Sequence, residues 1–188
     1  HVINHDKYKG WHKTIISSDK DFFQLCREDV SIYRPIQKKI MTKDSIINEF
    51  KIHPKNFALA RAMAGDASDN LPGIRGAGLK TIAKRFPYLV REDEYEVSDI
   101  IRDCAMQAKK LKIHENIQTG ETLIKENYKI MQLYYPNIRP LNRQLITKAV
   151  NDFDPYFDKI KFTQMLFDDD AGHLNFDALQ YILRSIKR

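Results

Sequence analysis

Cysteine is scarce in this 188-residue chain, and the two present do not suggest a pair. Cys26 and Cys104 stand far apart without C-x-x-C spacing, which speaks against a zinc site or a disulfide framework and for reduced thiols inside a cell. Long apolar runs are missing as well. No stretch approaches the roughly 18 to 20 residues that a membrane span needs, mean hydropathy is -0.52, and 30% of residues are charged. No secretory signal is visible, so a cytoplasmic, membrane-free protein is expected. There is no internal repeat, no low-complexity tract, no Walker loop and no Ser-His-Asp arrangement. A nucleotide-triphosphate motor and a triad hydrolase are thereby disfavoured.

What is abundant is basic charge. Thirty-one Lys and Arg against 25 Asp and Glu leave a formal charge of +6, which favours a polyanionic partner. Its distribution is more telling. Between Leu71 and Arg91 lie Arg75, Lys80, Lys84, Arg85 and Arg91 with no acid among them; this is either a local positive surface for a ligand or a solvated helix face. The length suits one domain, or a domain with a subdomain. The first residue is His1 and the opening segment carries no start signal for an element, so the chain is expected to begin inside a larger protein.

Periodicity predicts a β-like beginning and a helical remainder. Thr14 to Ser17 reads as a short buried strand leading into a helix from about Lys20. "VSIYRPIQKKIMT" reads as an extended segment at or near a sheet edge, because of its proline. Helices are predicted in "TKDSIINEF", capped by Thr42, in "PKNFALARAMAG", from Pro54 to Gly65, and in "LKTIAKRF". "EVSDIIRDCAMQAKKLKI" carries Ile100, Ile101, Cys104 and Leu111 on one stripe, and further helices are predicted over 121–135, 142–153, 155–167 and 174–187.

Two pairs of acids stand at turns. In "IISSDKDF", Asp19 and Asp21 follow the end of an apolar strand, where open α/β sheets bind ligands. Carboxylates held close together call for a cation, and Mg²⁺ or Mn²⁺ suits them. An equally physical alternative makes Asp19 a helix N-cap, with Asp21 favouring the same dipole. In "GDASDN", Asp66 and Asp69 sit just past a helix end, where Gly65 permits the turn; here the alternative is an Asx-rich loop.

Directly behind comes "LPGIRGAGLKTIAKRF". Gly73, Gly76 and Gly78 allow tight turning and let main-chain N–H groups approach something bulky. The helix carrying Lys80 and Thr81 starts at once, so its free amides suit a phosphate, and Lys80, Lys84 and Arg85 reach for neighbouring ones. Alternatively the glycines merely join two packed helices. The spacing P-G-x-x-G-x-G-x-K-T is far more specific than a lone glycine-rich turn.

In order and spacing, "IISSDKDFFQL" and "GDASDNLPGIRGAGLKTIAKRF" resemble the 5′-nuclease family: bacterial 5′-3′ exonuclease domains, flap endonucleases and especially the phage enzymes that remove RNA primers, often called phage RNase H. The resemblance covers about residues 13 to 90. It implies an α/β nuclease domain, here residues 1–41, then a mostly α-helical region, 42–188, with a helix-three-turn-helix (helix-hairpin-helix) DNA-binding motif at about 54–90. It implies a two-metal phosphodiesterase that cuts branched, nicked or RNA-primed DNA in replication, with Asp19, Asp21, Asp66 and Asp69 as metal ligands. Gly73, Arg75, Gly76, Gly78, Lys80, Thr81, Lys84 and Arg85 become DNA contacts, with K⁺ possible at the hairpin carbonyls. Replication proteins are conceivable partners, and the host cytoplasm is the location if the chain is phage-encoded. The family's remaining carboxylates and its arch lie upstream and have no counterpart here, so the chain is expected to be a C-terminal portion that binds DNA better than it cuts. The alternative is a non-catalytic duplex-DNA-binding module.

Other residues read as structural. "FDDDAG", 167–172, lacks the calcium-loop pattern and reads as a solvated turn. His114 and His173 read as surface residues. Trp11, Phe22, Phe23, Tyr134 and Tyr135 read as core, whereas Tyr33 or Tyr88 could touch DNA from a surface.

Overall fold

A computed structural model describes residues 1–108, 111–134, 138–153, 158–170, 175, 178 and 181. It divides into two units, His1–Thr147 and Lys148–Arg188.

In the first unit, Lys13–Ile16 forms β1, Val30–Arg34 forms β2 and Lys39–Met41 forms β3, in spatial order β1-β2-β3. β1 and β2 are parallel, with Lys13 opposite Val30 and Ile16 opposite Tyr33. β2 and β3 are antiparallel, so the sheet is mixed. β2, expected near an edge, is the middle strand. Pro35 falls just beyond it in the turn to β3, where a missing N–H breaks no ladder bond. The parallel crossover between β1 and β2 carries a six-residue 3₁₀ helix, Lys20–Leu25, which starts where β1 stops.

Thr42 opens α1 (Lys43–Phe50): its hydroxyl accepts from the Ser45 N–H, and Ser45 accepts from the Thr42 N–H. Pro54–Asn56 makes one 3₁₀ turn that passes directly into α2 (Phe57–Ala64). Seven of the eight α2 residues are buried, as befits a helix apolar nearly all round. Phe23 of the 3₁₀ helix stacks with Phe57 at 5.4 Å and Phe50 at 5.8 Å between ring centroids, which locks the segment beyond β1 onto α1 and α2. One core cluster runs from these rings through Ile32, Met41 and Met63 to Ile82, Ile100 and Ile124.

After α3 (Leu79–Arg85), Pro87–Val90 makes a 3₁₀ turn that Asn56 fastens, donating to the carbonyls of Leu89 (3.2 Å) and Asp93 (2.9 Å). The long stripe predicted from Glu96 onward is two helices, α4 (Val97–Met106) and α5 (Lys112–Thr119). Gln107 is extended, and Leu111 caps the second helix instead of extending the first. α6 (Glu121–Met131) stops four residues before its expected end, because Gln132 turns extended and the Leu133 N–H goes to the Gln24 side chain. α7 spans Pro140–Asp152. In the second unit α8 spans Lys159–Asp168, capped by the Asp158 carboxylate on the N–H of Ile160 (3.0 Å). Asp168, Asp169 and Asp170 end it in an exposed turn. The helix predicted over 174–187 lies almost wholly outside the described residues, as do Tyr135 and His173.

Trp11, expected in the core, is 64% exposed, and His114, expected on the surface, is 4% exposed. Both cysteines are buried and unpaired, and burial pushes their thiols up, to about 12 for Cys26 and about 11 for Cys104.

A candidate carboxylate cleft beside a basic hairpin

β1 ends at Ile16, and the next residues line a polar cleft of about 410 Å³ formed by Ser18, Asp19, Lys20, Arg61, Asp66, Ser68 and Asp69. Residues more than forty positions apart in sequence thus face one space at the carboxyl end of a strand. Asp19 does two things at once: it lines the cleft, and its carboxylate accepts from the Asp21 N–H at 2.8 Å as the N-cap of the 3₁₀ helix. The Ser18 hydroxyl is buried without a protein partner among the described residues. Asp69 lines the cleft from an exposed position.

Asp21 does not line the cleft; it reaches Arg61, whose Nε donates to its Oδ1 at 3.0 Å. The same guanidinium donates through Nη2 to Asp66 Oδ2 and through Nη1 to the Gly65 carbonyl at 3.4 Å. All three charged side chains are largely buried, at 10% exposure for Arg61, 15% for Asp21 and 17% for Asp66. Arg61 therefore joins the two acidic motifs. The two carboxyls respond differently. Burial pushes Asp21 above its ordinary value despite the bond to Arg61, with Asp19 and Asp66 adding like charge. Asp66 is pulled down to about 2, first by the Ser68 hydroxyl at 2.5 Å and then by Arg61. The sequence reading missed Arg61. Its signal was a single charge inside the otherwise apolar "FALARAMA".

A two-ion centre does not fit these residues as they stand. Among the described residues no three acidic, histidine or cysteine side chains gather at ligating range, and Asp21 and Asp66 already share a guanidinium. Hard divalent ions need six or more oxygens; the cleft supplies Asp19, Asp66, Asp69 and the Ser18 hydroxyl as a partial set.

The segment between Asp66 and the hairpin is folded back on itself. Asp66 and Leu71 exchange both backbone hydrogen bonds at 2.8 Å, with Asn70 left-handed at φ 55°. Gly73 then crosses Gly65 so closely that a Cβ on Gly73 would lie 1.9 Å from the Ala64 carbonyl oxygen. The close approach that Gly73 permits is thus to the chain's own backbone. Gly76 makes the turn at φ 84°, and both Gly76 and Gly78 face open space. Asn127 of α6 anchors both sides of this crossing by donating to the carbonyls of Ala62 (3.0 Å) and Pro72 (2.9 Å), and Asn116 of α5 donates to that of Arg75 (3.0 Å). Gln24 braces the 3₁₀ helix in the same way, donating to Asp21 and Met131 carbonyls at 2.7 and 2.9 Å.

Ile74, Ala77 and Ile82 are buried under the hairpin, which leaves Arg75, Gly76, Gly78, Lys80, Lys84, Arg85 and Arg91 exposed and Thr81 half-buried. None of the five basic residues is ion-paired among the described residues. α3 has seven residues, so its short dipole adds little and the side chains supply the positive field.

No family model matches the chain. Among curated proteins, the 5′-3′ exonuclease of Aquifex aeolicus (strain VF5) is 40% identical over 73 residues, 39% of this chain and 25% of that protein. DNA polymerase I of Rhizobium leguminosarum is 35% identical over 108 residues, 57% of this chain and 10% of that protein. The chain therefore spans only a quarter or less of these relatives. Among solved structures, the bacteriophage T5 flap endonuclease in a complex with DNA and metal ions has a TM-score of 0.56 at 21% identity, over 89% of this chain and 56% of that one. The T5 5′-exonuclease with bound zinc has a TM-score of 0.53 at 22% identity, over 74% and 47%. Sequence likeness to the 5′-3′ exonucleases over part of their length and a fold shared with the T5 enzyme together support a 5′-nuclease family for this chain.

Proposed function

We propose that this chain is the DNA-gripping part of a metal-dependent 5′-3′ exonuclease or flap endonuclease acting on branched, nicked or RNA-primed DNA. The observation that carries the reading is the juxtaposition of the cleft holding Asp19, Asp66 and Asp69 with a basic hairpin seven residues beyond Asp66, unpaired among the described residues. Residues about 54–90 would act as a helix-three-turn-helix. Arg75, Lys80, Thr81, Lys84 and Arg85 would contact phosphates, and the Gly73, Gly76 and Gly78 turns would bring main-chain groups to the strand, with K⁺ a candidate at their carbonyls. Contacts of this kind position a duplex without reading its sequence. In this reading residues 1–41 close an α/β nuclease domain, and 42–188 supply the helical grip.

Asp19, Asp66 and Asp69 would be a partial donor set for one Mg²⁺ or Mn²⁺, with Asp21 joining them only on release from Arg61, and such an ion would supply activated water or stabilise a leaving oxygen. What the residues do themselves is narrower. Asp19, Asp66 and Asp69 make the cleft negative, and Arg61 keeps Asp21 and Asp66 from repelling each other. A second reading, a duplex-DNA-binding module without catalysis, is favoured by one observation: Arg61 takes up one oxygen of Asp21 and one of Asp66.

Cleavage of a labelled 5′-flap duplex in Mg²⁺, with binding measured in parallel, separates the two. Cleavage by the chain, abolished in D66A/D69A while duplex binding persists, supports the nuclease. Binding without cleavage, also after an upstream 5′-nuclease segment is supplied, supports the module.

A further inference from the structure

α3 ends at Arg85, and beyond it a second cavity of about 350 Å³ is lined by Lys84, Arg85, Gln107, Leu111 and His114. His114 is its unusual member. It is 4% exposed, its ring lies 6.5 Å from that of Phe86 between centroids, and its Nδ1 accepts the N–H of Leu111 at 3.4 Å. A neutral imidazole that accepts at Nδ1 carries its proton on Nε2. No protein acceptor for that proton stands among the described residues. That nitrogen is not among the buried polar atoms left without a partner, so its N–H opens on the cavity that His114 lines and is free to meet an acceptor there. Lys84 and Arg85 stand at the same cavity, exposed and without an ion pair among the described residues. No acid lines the cavity, and Asp103, which accepts from Gln107 Nε2 at 2.9 Å, also accepts from the Tyr88 hydroxyl at 3.2 Å.

We propose that this cavity is a phosphate subsite, in which His114 Nε2–H, Lys84 and Arg85 hold one phosphodiester of a nucleic-acid backbone that has passed over the hairpin. The assignment rests on the nucleic-acid reading above and extends it from the hairpin to α5. Lys80 and Lys84 are four residues apart, about 6 Å along a helix axis, so hairpin and cavity serve neighbouring stretches of one strand. The buried imidazole makes the subsite directional, since it donates from one fixed point whereas the two flexible cations supply charge.

The test follows the His114 ring resonances of the 188-residue chain as a short duplex, or inorganic phosphate alone, is added, and measures duplex affinity against salt for wild type, K84Q/R85Q and H114Q. Duplex is expected to shift the His114 ring. K84Q/R85Q is expected to lower the salt slope by about 2 units, and H114Q, checked for folding by its melting curve, to weaken binding several-fold at unchanged slope. Inorganic phosphate shifting the ring when duplex does not would overturn the strand assignment. Weakened binding in K80Q, with the salt slope and affinity unchanged in the cavity variants and the wild-type His114 ring unmoved by duplex, would overturn the subsite and leave the hairpin reading standing. No duplex binding by wild type would overturn both.

Discussion

The cleft and the hairpin are adjacent in sequence and opposite in how they treat charge. At the cleft, Arg61 and Asp66 on its wall and Asp21 behind them are largely buried and satisfy one another, with Ser68 completing Asp66. On the hairpin and α3, Arg75, Lys80, Lys84 and Arg85 are exposed, unpaired among the described residues and repel one another. The difference separates charge that holds a fold together from charge kept for a partner. Buried charges must find their counter-ions inside the chain, whereas an exposed cluster is tolerated by water and salt until a polyanion replaces them.

The strongest way to break the contrast is to remove the internal cation. R61M keeps a long apolar stem in α2 but strands two buried carboxylates, and it is expected to lose about 3 kcal/mol of stability in urea unfolding. Adding D66N should recover part of it, because one of the stranded charges goes. K84M, which removes a cation of the other kind, should change stability by less than about 0.5 kcal/mol. Equal stability of R61M and wild type would mean that the cleft does not depend on its guanidinium.

A glycine series sharpens the same comparison by backbone alone. G73A drives a methyl group into the Ala64 carbonyl where the hairpin crosses the end of α2, and is expected to cost about 3 kcal/mol. G76A meets nothing in space but must hold φ at 84°, a strain of about 1 to 2 kcal/mol. G78A meets neither obstacle, lies at φ -66° and should be neutral within about 0.5 kcal/mol. Melting temperatures falling in any other order would show that the hairpin is not pinned at Gly73.

Both regions were legible in the sequence to different depths. Hairpin turns and basic face follow from local rules: glycines where φ or contact demands them, cations where no acid intervenes. Thr42, Pro54 and Gly65 bounded their helices because caps and breakers act within a turn of their own position. The cleft needed long-range information. Asp19 and Asp66 could be named as acids at turns, but each also satisfied a local rule, a cap or an Asx turn, and the structure keeps those local roles alongside the cleft. Arg61 escaped because apolar periodicity scores a lone charge as noise, although an arginine in a helix buried on all sides must have partners. His114 and Trp11 were exchanged between core and surface for a related reason: exposure depends on which helices pack nearby, and neither residue lies on a stripe that would announce it.

The smallest effect concerns the two ends of Arg61. Asp66 has its carboxyl lowered from 3.8 to about 2, so its contribution to stability is present above about pH 4 and is lost as pH falls toward 2. Asp21 is raised, so the stability it contributes is present below the unfolded value and lost as pH rises through the folded one; at neutral pH its charge is a cost. D66N should therefore lower stability at pH 7 by about 1 kcal/mol and flatten the acid limb, while D21N should leave stability at pH 7 equal or higher. Asp29, held at about 2 by Lys13 and Arg27, titrates in the same window, and a D29N background isolates the Asp66 limb. If D21N proves the more damaging of the two at pH 7, Arg61 belongs chiefly to the segment beyond β1, and the loop at Asp66 is held by Ser68 and its own backbone.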